Sequence, residues 1–245
     1  MSIQKIALLT ALIVSAGTIP VATASLEQVD EKRWQFDVLL NDKPIGTHTF
    51  AVQESNDQLV LETEASFDVK FLFVTAFRYR HQNTEIWAGG CLASIDAMTD
   101  SNGKMLEVRG QRAADGFAID DGEGSSELTG CVQSFAYWNP AVLESERLLN
   151  SQTGDYETVT VTYDGPDQVT VAGQQVGAYR YTMAAKGGDI TLWYSRDGLT
   201  WLALEAPAKG GRTLTYRPVS VPAGIDPVAI APVAFDNERV VALSD

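Results

Sequence analysis

The sequence predicts a mainly β protein, a single domain of about a dozen antiparallel strands forming a large curved sheet or open half-barrel, with one short helix near residues 140–149. Three observations predict it. Apolar and polar residues alternate with period two through most of the chain, as they do in strands that bury one face. Clusters of Asn, Asp and Gly separate the alternating runs at the short intervals of hairpin turns. Helix-start chemistry stands out at one place, where Asn139 precedes Pro140.

Trp34, Phe36, Val38 and Leu40 share one face of a first strand, opposite Gln35, Asp37 and Asn41. A turn from Asn41 to Gly46 leads to a second strand, where Phe50 and Val52 continue an apolar face. After Ser55-Asn56-Asp57, the residues Leu59, Leu61, Ala65 and Phe67 alternate with Glu62, Glu64 and Asp68. The three strands form a meander. The dense apolar run at 69–77 fits either a strand buried on both faces or a bend at the sheet edge. Alternation resumes with Phe77, Tyr79 and His81 opposing Arg78 and Arg80, and ends near Trp87. Turn signals at Ala88-Gly89-Gly90, Asp100 to Gly103 and Asp115-Gly116 divide the next strands, and the Gly, Ser and acid-rich stretch from Asp120 to Gly130 reads as a loop.

The helix is expected to start with Asn139 as its N-cap and to run to Leu149, where Asn150 to Gly154 stop it. Strands follow at 158–163, 169–171, 179–183 and 190–194, then the hairpin signal Asp197-Gly198, then strands at 200–204 and 212–216.

Residues 1–24 read as a signal peptide. Lys5 supplies a positive n-region, an uncharged apolar stretch follows, and Ala22-Thr23-Ala24 gives the small-x-small pattern of a cleavage site after Ala24. Its Thr, Ser, Gly and Pro content argues against a transmembrane span. The expectation is a periplasmic protein with a β domain at 25–217 and a Pro, Val and Ala-rich tail at 218–245.

The full chain carries 18 Lys+Arg against 32 Asp+Glu, a net charge of −14; loss of Lys5 with the leader would make it −15. Such a balance repels nucleic acid and anionic headgroups. Cys91 and Cys131 form an even pair in an exported chain, which points to a disulfide. Two separate buried thiols, or one nucleophilic thiol, are the other readings.

No metal or cofactor motif appears: His48 and His81 lack ligand spacing, and neither a Gly-x-Ser-x-Gly elbow nor a phosphate loop occurs. Cys91 with His81 could make a thiolate pair only if the fold brought them together. The aromatic stretch Ser134 to Pro140 fits a core plug before the helix, with Trp138 buried, or a cavity wall. The candidate ligand-binding residues are Tyr79, His81, Tyr137, Trp138, Trp193 and Trp201.

Tyr79-Arg80-His81, Trp87 with Gly90-Cys91-Leu92, Ser134 to Pro140, Leu148 to Gly154 and the Trp193–Trp201 hairpin together resemble an uncharacterised bacterial exported family, domain of unknown function 6134. The resemblance spans roughly residues 33–217, and Ser134 to Pro140 is its most specific part. It implies an exported β domain and carries over no catalytic residues. By looser analogy, the strand order is similar to that of curved-sheet periplasmic carriers that hold acyl chains on a concave face.

Three functions follow as expectations. The leading one is a non-enzymatic periplasmic module binding an apolar, lipid-like ligand or an envelope partner. The others are an envelope-acting enzyme using a Cys/His or carboxylate pair, and an acidic scaffold or assembly protein.

Overall fold

The computed structural model describes residues 31–55, 57–71, 74–114 and 116–222; the expected leader and most of the expected tail lie outside them. One meander comprises β1 (Glu31–Leu40), β2 (Lys43–Ser55), β3 (Gln58–Phe71), β4 (Val74–Ala88), β5 (Cys91–Ser101), β6 (Lys104–Ala113), β7 (Gly116–Asp120) and β8 (Ser125–Thr129). A linking segment holds a 3-10 helix (Pro140–Glu144) and two short strands, β9 (Arg147–Leu149) and β10 (Tyr156–Thr158). A second meander follows: β11 (Thr160–Val171), β12 (Gln174–Ala185), β13 (Gly188–Ser195), β14 (Trp201–Ala208) and β15 (Arg212–Ser220).

Thirteen strands form one open antiparallel sheet in the order β11-β12-β13-β14-β15-β1-β2-β3-β4-β5-β6-β7-β8. Every neighbour but one is a hairpin partner in sequence. The exception is β15 against β1, where Phe36 faces Pro218 and Val38 faces Tyr216. That pairing fuses the meanders. Several hairpins close through two residues with positive φ, including Asn41-Asp42 and Asn102-Gly103, the backbone twist that suits adjoining strands.

The inner face of the curve is apolar, and residues from both meanders meet there: Phe36, Leu61, Trp87 and Leu92 from one, Met183, Leu192, Tyr194 and Trp201 from the other. The linking segment fills it. From Val132 to Trp138 every second side chain of the segment is buried, and Val142, Leu148, Leu149 and Val159 join the same core. Backbone bonds secure it, from Leu92 N–H to the Val132 carbonyl at 2.9 Å and from Leu149 N–H to the Gln133 carbonyl at 2.8 Å.

Three local expectations are corrected. The helix is a 3-10 turn that ends at Glu144, and residues 147–149 form strand β9. Leu148 and Leu149 are both fully buried, and the backbone of Leu149 bonds to Gln133 and Phe135, which a helix running to 149 would forbid. Asn139 is nonetheless the N-cap, its Oδ1 accepting from Ala141 N–H at 3.1 Å. The stretch 120–130 is a hairpin tip plus edge strand β8, whose polar side chains face solvent and so carry no alternation signal. The apolar run at 69–77 spans the end of β3 and the start of β4, antiparallel partners in one hairpin.

Cys91 and Cys131 lie at disulfide distance, with Cα atoms 5.2 Å apart, and join the start of β5 to the start of the linking segment. Alkylation of the denatured, unreduced protein should find no free thiol. Cys131→Ser should lower unfolding free energy by about 2–5 kcal/mol, because a loop of this length loses its closure constraint. Two reactive thiols per chain, or an unchanged melt, would refute a structural bridge.

Candidate functional site

Strand β4 sends alternate side chains inward, and three consecutive inward positions are polar: His81, Asn83 and Glu85, each at most 5% exposed, followed by Trp87. Burying such groups costs free energy unless each finds partners. Glu85 finds three. Its Oε1 accepts from Asn83 Nδ2 at 2.9 Å, and its Oε2 accepts from Trp87 Nε1 at 2.9 Å and from Ser134 Oγ at 3.0 Å. No cation is among them. Burial therefore pushes the Glu85 carboxyl above the ordinary range, against the pull of the three hydrogen bonds.

His81 shares a hydrogen bond between Nδ1 and Thr99 Oγ1 at 2.8 Å, and its Nε2 lies 3.5 Å from Ser151 Oγ. Burial pushes its pKa down to about 4, so the ring is neutral at pH 7. His48 on β2 pairs through Nδ1 with the Tyr216 hydroxyl at 3.0 Å, and it too is held well below the ordinary range, by burial first and then by His81.

These side chains line a cavity of about 310 Å³ between the sheet and the linking segment. Phe50, Leu61, Ile190, Leu204 and Leu214 supply apolar wall, while Trp138, Asn150, Ser151 and Glu157 come from the linking segment. Trp138 stands edge-on to Trp87, with ring centroids 5.7 Å apart. Asn150 Nδ2 donates to Glu157 Oε1 at 2.9 Å, which fixes both on this side of the cavity.

Of the six candidate ligand residues, His81, Tyr137 and Trp138 line this cavity. The other three lie elsewhere. Trp201 is fully buried, gives its Nε1–H to the Ala203 carbonyl and packs on Phe36, so it is a core residue. Trp193 donates to Asp167 and packs in a separate cluster with Val169. Tyr79 stacks on Phe67, with centroids 5.1 Å apart, in a third cluster. Sequence reasoning missed His48, Asn83 and Glu85, and took in Ser134 only as the start of the aromatic stretch. A signal for two of them existed: carrying the Tyr79–His81 parity forward to Trp87 puts Asn83 and Glu85 on the inner face.

The Cys–His pair does not assemble. Cys91 faces Ala88, whereas His81 faces Thr99, eight residues further along β5, a separation of about 25 Å at strand rise. Thr99, His81 and Ser151 do stand in the order of a nucleophilic relay. Yet the orienting group is a hydroxyl rather than a carboxylate, and a histidine near pKa 4 is a weak base at pH 7. Among the described residues no group of three or more His, Cys, Asp or Glu side chains could hold a metal ion, and no helix is long and apolar enough to cross a membrane.

An open β half-barrel closed over its own linking segment is the class of protein this fold defines. The chain belongs to the family described as domain of unknown function DUF6134, whose model matches residues 36–219. It is similar in fold to a crystal structure of a β-barrel-like protein of domain of unknown function DUF1849 from Brucella abortus. That match has a TM-score of 0.58 at 10% identity and covers 81% of this chain and 98% of the other. No curated protein matches the sequence.

Of the two histidines, His81 makes a pH prediction. The folded value near 4 lies below the ordinary 6.5, so the unfolded chain takes up the proton first. Stability from His81 is thus complete above pH 6.5 and is lost as pH falls towards 4, by up to about 3 kcal/mol. Glu85 has the opposite sign: its contribution is present below about pH 4.5 and is lost as pH rises through its raised value. Urea melts at pH 7 and pH 4.5 should show a clearly smaller acid loss for His81→Gln than for wild type. Equal losses would show that His81 is not the acid-sensitive group.

Proposed function

We propose that this protein is an exported, non-enzymatic binding module that takes a small amphiphilic ligand, lipid-like in its apolar part, into the cavity between the sheet and the linking segment. The observation that carries the reading is the cavity's make-up: apolar wall from both meanders beside buried polar groups of β4 and the linking segment, in a volume at the lower end of those small-ligand sites occupy. A long acyl chain laid along the concave face is disfavoured, because the linking segment already occupies that face. The leader pattern and the cysteine pair support a working place outside the cytoplasm, the periplasm. The weak base in the Thr99–His81–Ser151 arrangement favours binding over catalysis.

Native mass spectrometry of protein recovered from the periplasm should show a bound small molecule that solvent extraction releases. Ala206→Phe, which fills the cavity from β14, should arrive without it while keeping the wild-type circular dichroism spectrum. Wild-type protein that carries nothing and binds no environment-sensitive amphiphilic dye would sink the binding reading. Labelling of Ser151 by a serine-reactive phosphonate, with loss in Ser151→Ala, would favour the enzyme reading instead.

A further inference from the structure

Four buried side-chain polar atoms lack a hydrogen-bond partner among the described residues, and three belong to residues lining the cavity: His48 Nε2, Asn83 Oδ1 and Trp138 Nε1. Asn83 and Trp138 are 5% and 8% exposed, so solvent outside the protein does not satisfy them. Their chemistry is complementary. The Trp138 indole N–H can only donate, and Asn83 Oδ1 can only accept, because the Asn83 amide is oriented by its Nδ2 bond to Glu85. His48 Nε2 takes either role, depending on how Nδ1 shares its bond with Tyr216.

The charges in the wall are one-sided. Among the described residues no Lys or Arg lines the cavity, both histidines are held neutral by burial, and the carboxyl groups present belong to Glu85 and Glu157. An anionic head would meet acid groups with no cation to offset them, and it brings no donor for Asn83 Oδ1. An ammonium head suits the acid groups but has no acceptor for the Trp138 N–H. A head that both donates and accepts, without charge, offers the matching partner type to Asn83 Oδ1 and to the Trp138 N–H alike.

Resting on the binding reading above, we infer that the ligand class is an uncharged amphiphile with an amide or hydroxyl head seated between Asn83 and Trp138. Fatty acids and phosphate-headed lipids are selected against.

Three probes with one tail separate the possibilities: octanamide, octanoate and octylammonium, titrated into the purified protein at pH 7 by calorimetry. Octanamide should bind at least about tenfold more tightly than either charged probe, since a buried polar group left unpaired costs about 1–3 kcal/mol. Trp138→Phe should weaken octanamide by about three- to tenfold and leave octylammonium unmoved, because the ammonium makes no bond to the indole N–H. Octanoate or octylammonium binding as well as octanamide would overturn the ligand class while leaving a binding module. An equal loss of all three probes in Trp138→Phe would also overturn it, marking Trp138 as structural wall. Binding of no probe would count against the binding reading itself and take this inference with it.

Discussion

An open curved sheet has an inner apolar face that must be covered, and among the described residues the other sheet is only the two-stranded β9–β10 of the linking segment. The chain solves this with its own connection. Between β8 and β11 it crosses the inside of the curve, places Val132, Ala136, Trp138, Val142, Leu148 and Leu149 against both meanders, and becomes the second layer. The rest depends on that contact. Without it, inward residues such as Trp87 and Leu192 would face water.

A plug made of irregular chain cannot match a sheet perfectly, and the mismatch is where the polar chemistry collects. The linking segment is tied down by side-chain bonds at discrete points: Ser134 to Glu85, the Tyr194 hydroxyl to the Tyr137 carbonyl, and Ser151 near His81. Between those ties it leaves the cavity. Glu85 occupies the centre, satisfying one donor of the plug and two of its own strand. A single apolar residue there would leave three buried donors to find other partners, a cost that argues for the carboxyl group despite its own burial penalty.

The fold class was legible because alternation and turn residues are local properties. Asn41-Asp42, Asn102-Gly103 and Asp197-Gly198 announce hairpins whatever the rest of the molecule does. The extent of the helix was not legible. Asn139 and Pro140 start a helix equally well in its short and long forms, and what stops it is the burial of Leu148 and Leu149 against a distant sheet. Edge strand β8 was hidden for the converse reason, since its side chains face solvent and display no pattern. At the site, Trp138 could be read from the aromatic cluster, and His81 from its place beside Tyr79. Asn83 and Glu85 follow only when the parity of β4 is carried on to Trp87, and His48 could not be chosen without knowing which face of β2 is inner. Trp193 and Trp201 were attractive as aromatics, yet each already spends its indole N–H on Asp167 or on the Ala203 carbonyl.

That contrast among the tryptophans gives a general way to separate wall from frame. Trp34, Trp87, Trp193 and Trp201 all give their Nε1–H to a protein acceptor, whereas Trp138 does not. In a buried setting the first arrangement is complete, and the residue's role ends with packing. The second is stable only because the rest of the ring packs well, on Trp87 and the linking segment, and the donor is left without a partner among the described residues. The same distinction applies along β4, where all of Glu85 is engaged but one atom of Asn83 is not. Completeness marks the scaffold, and the unpaired atoms of the same wall are what the proposed ligand would have left to satisfy.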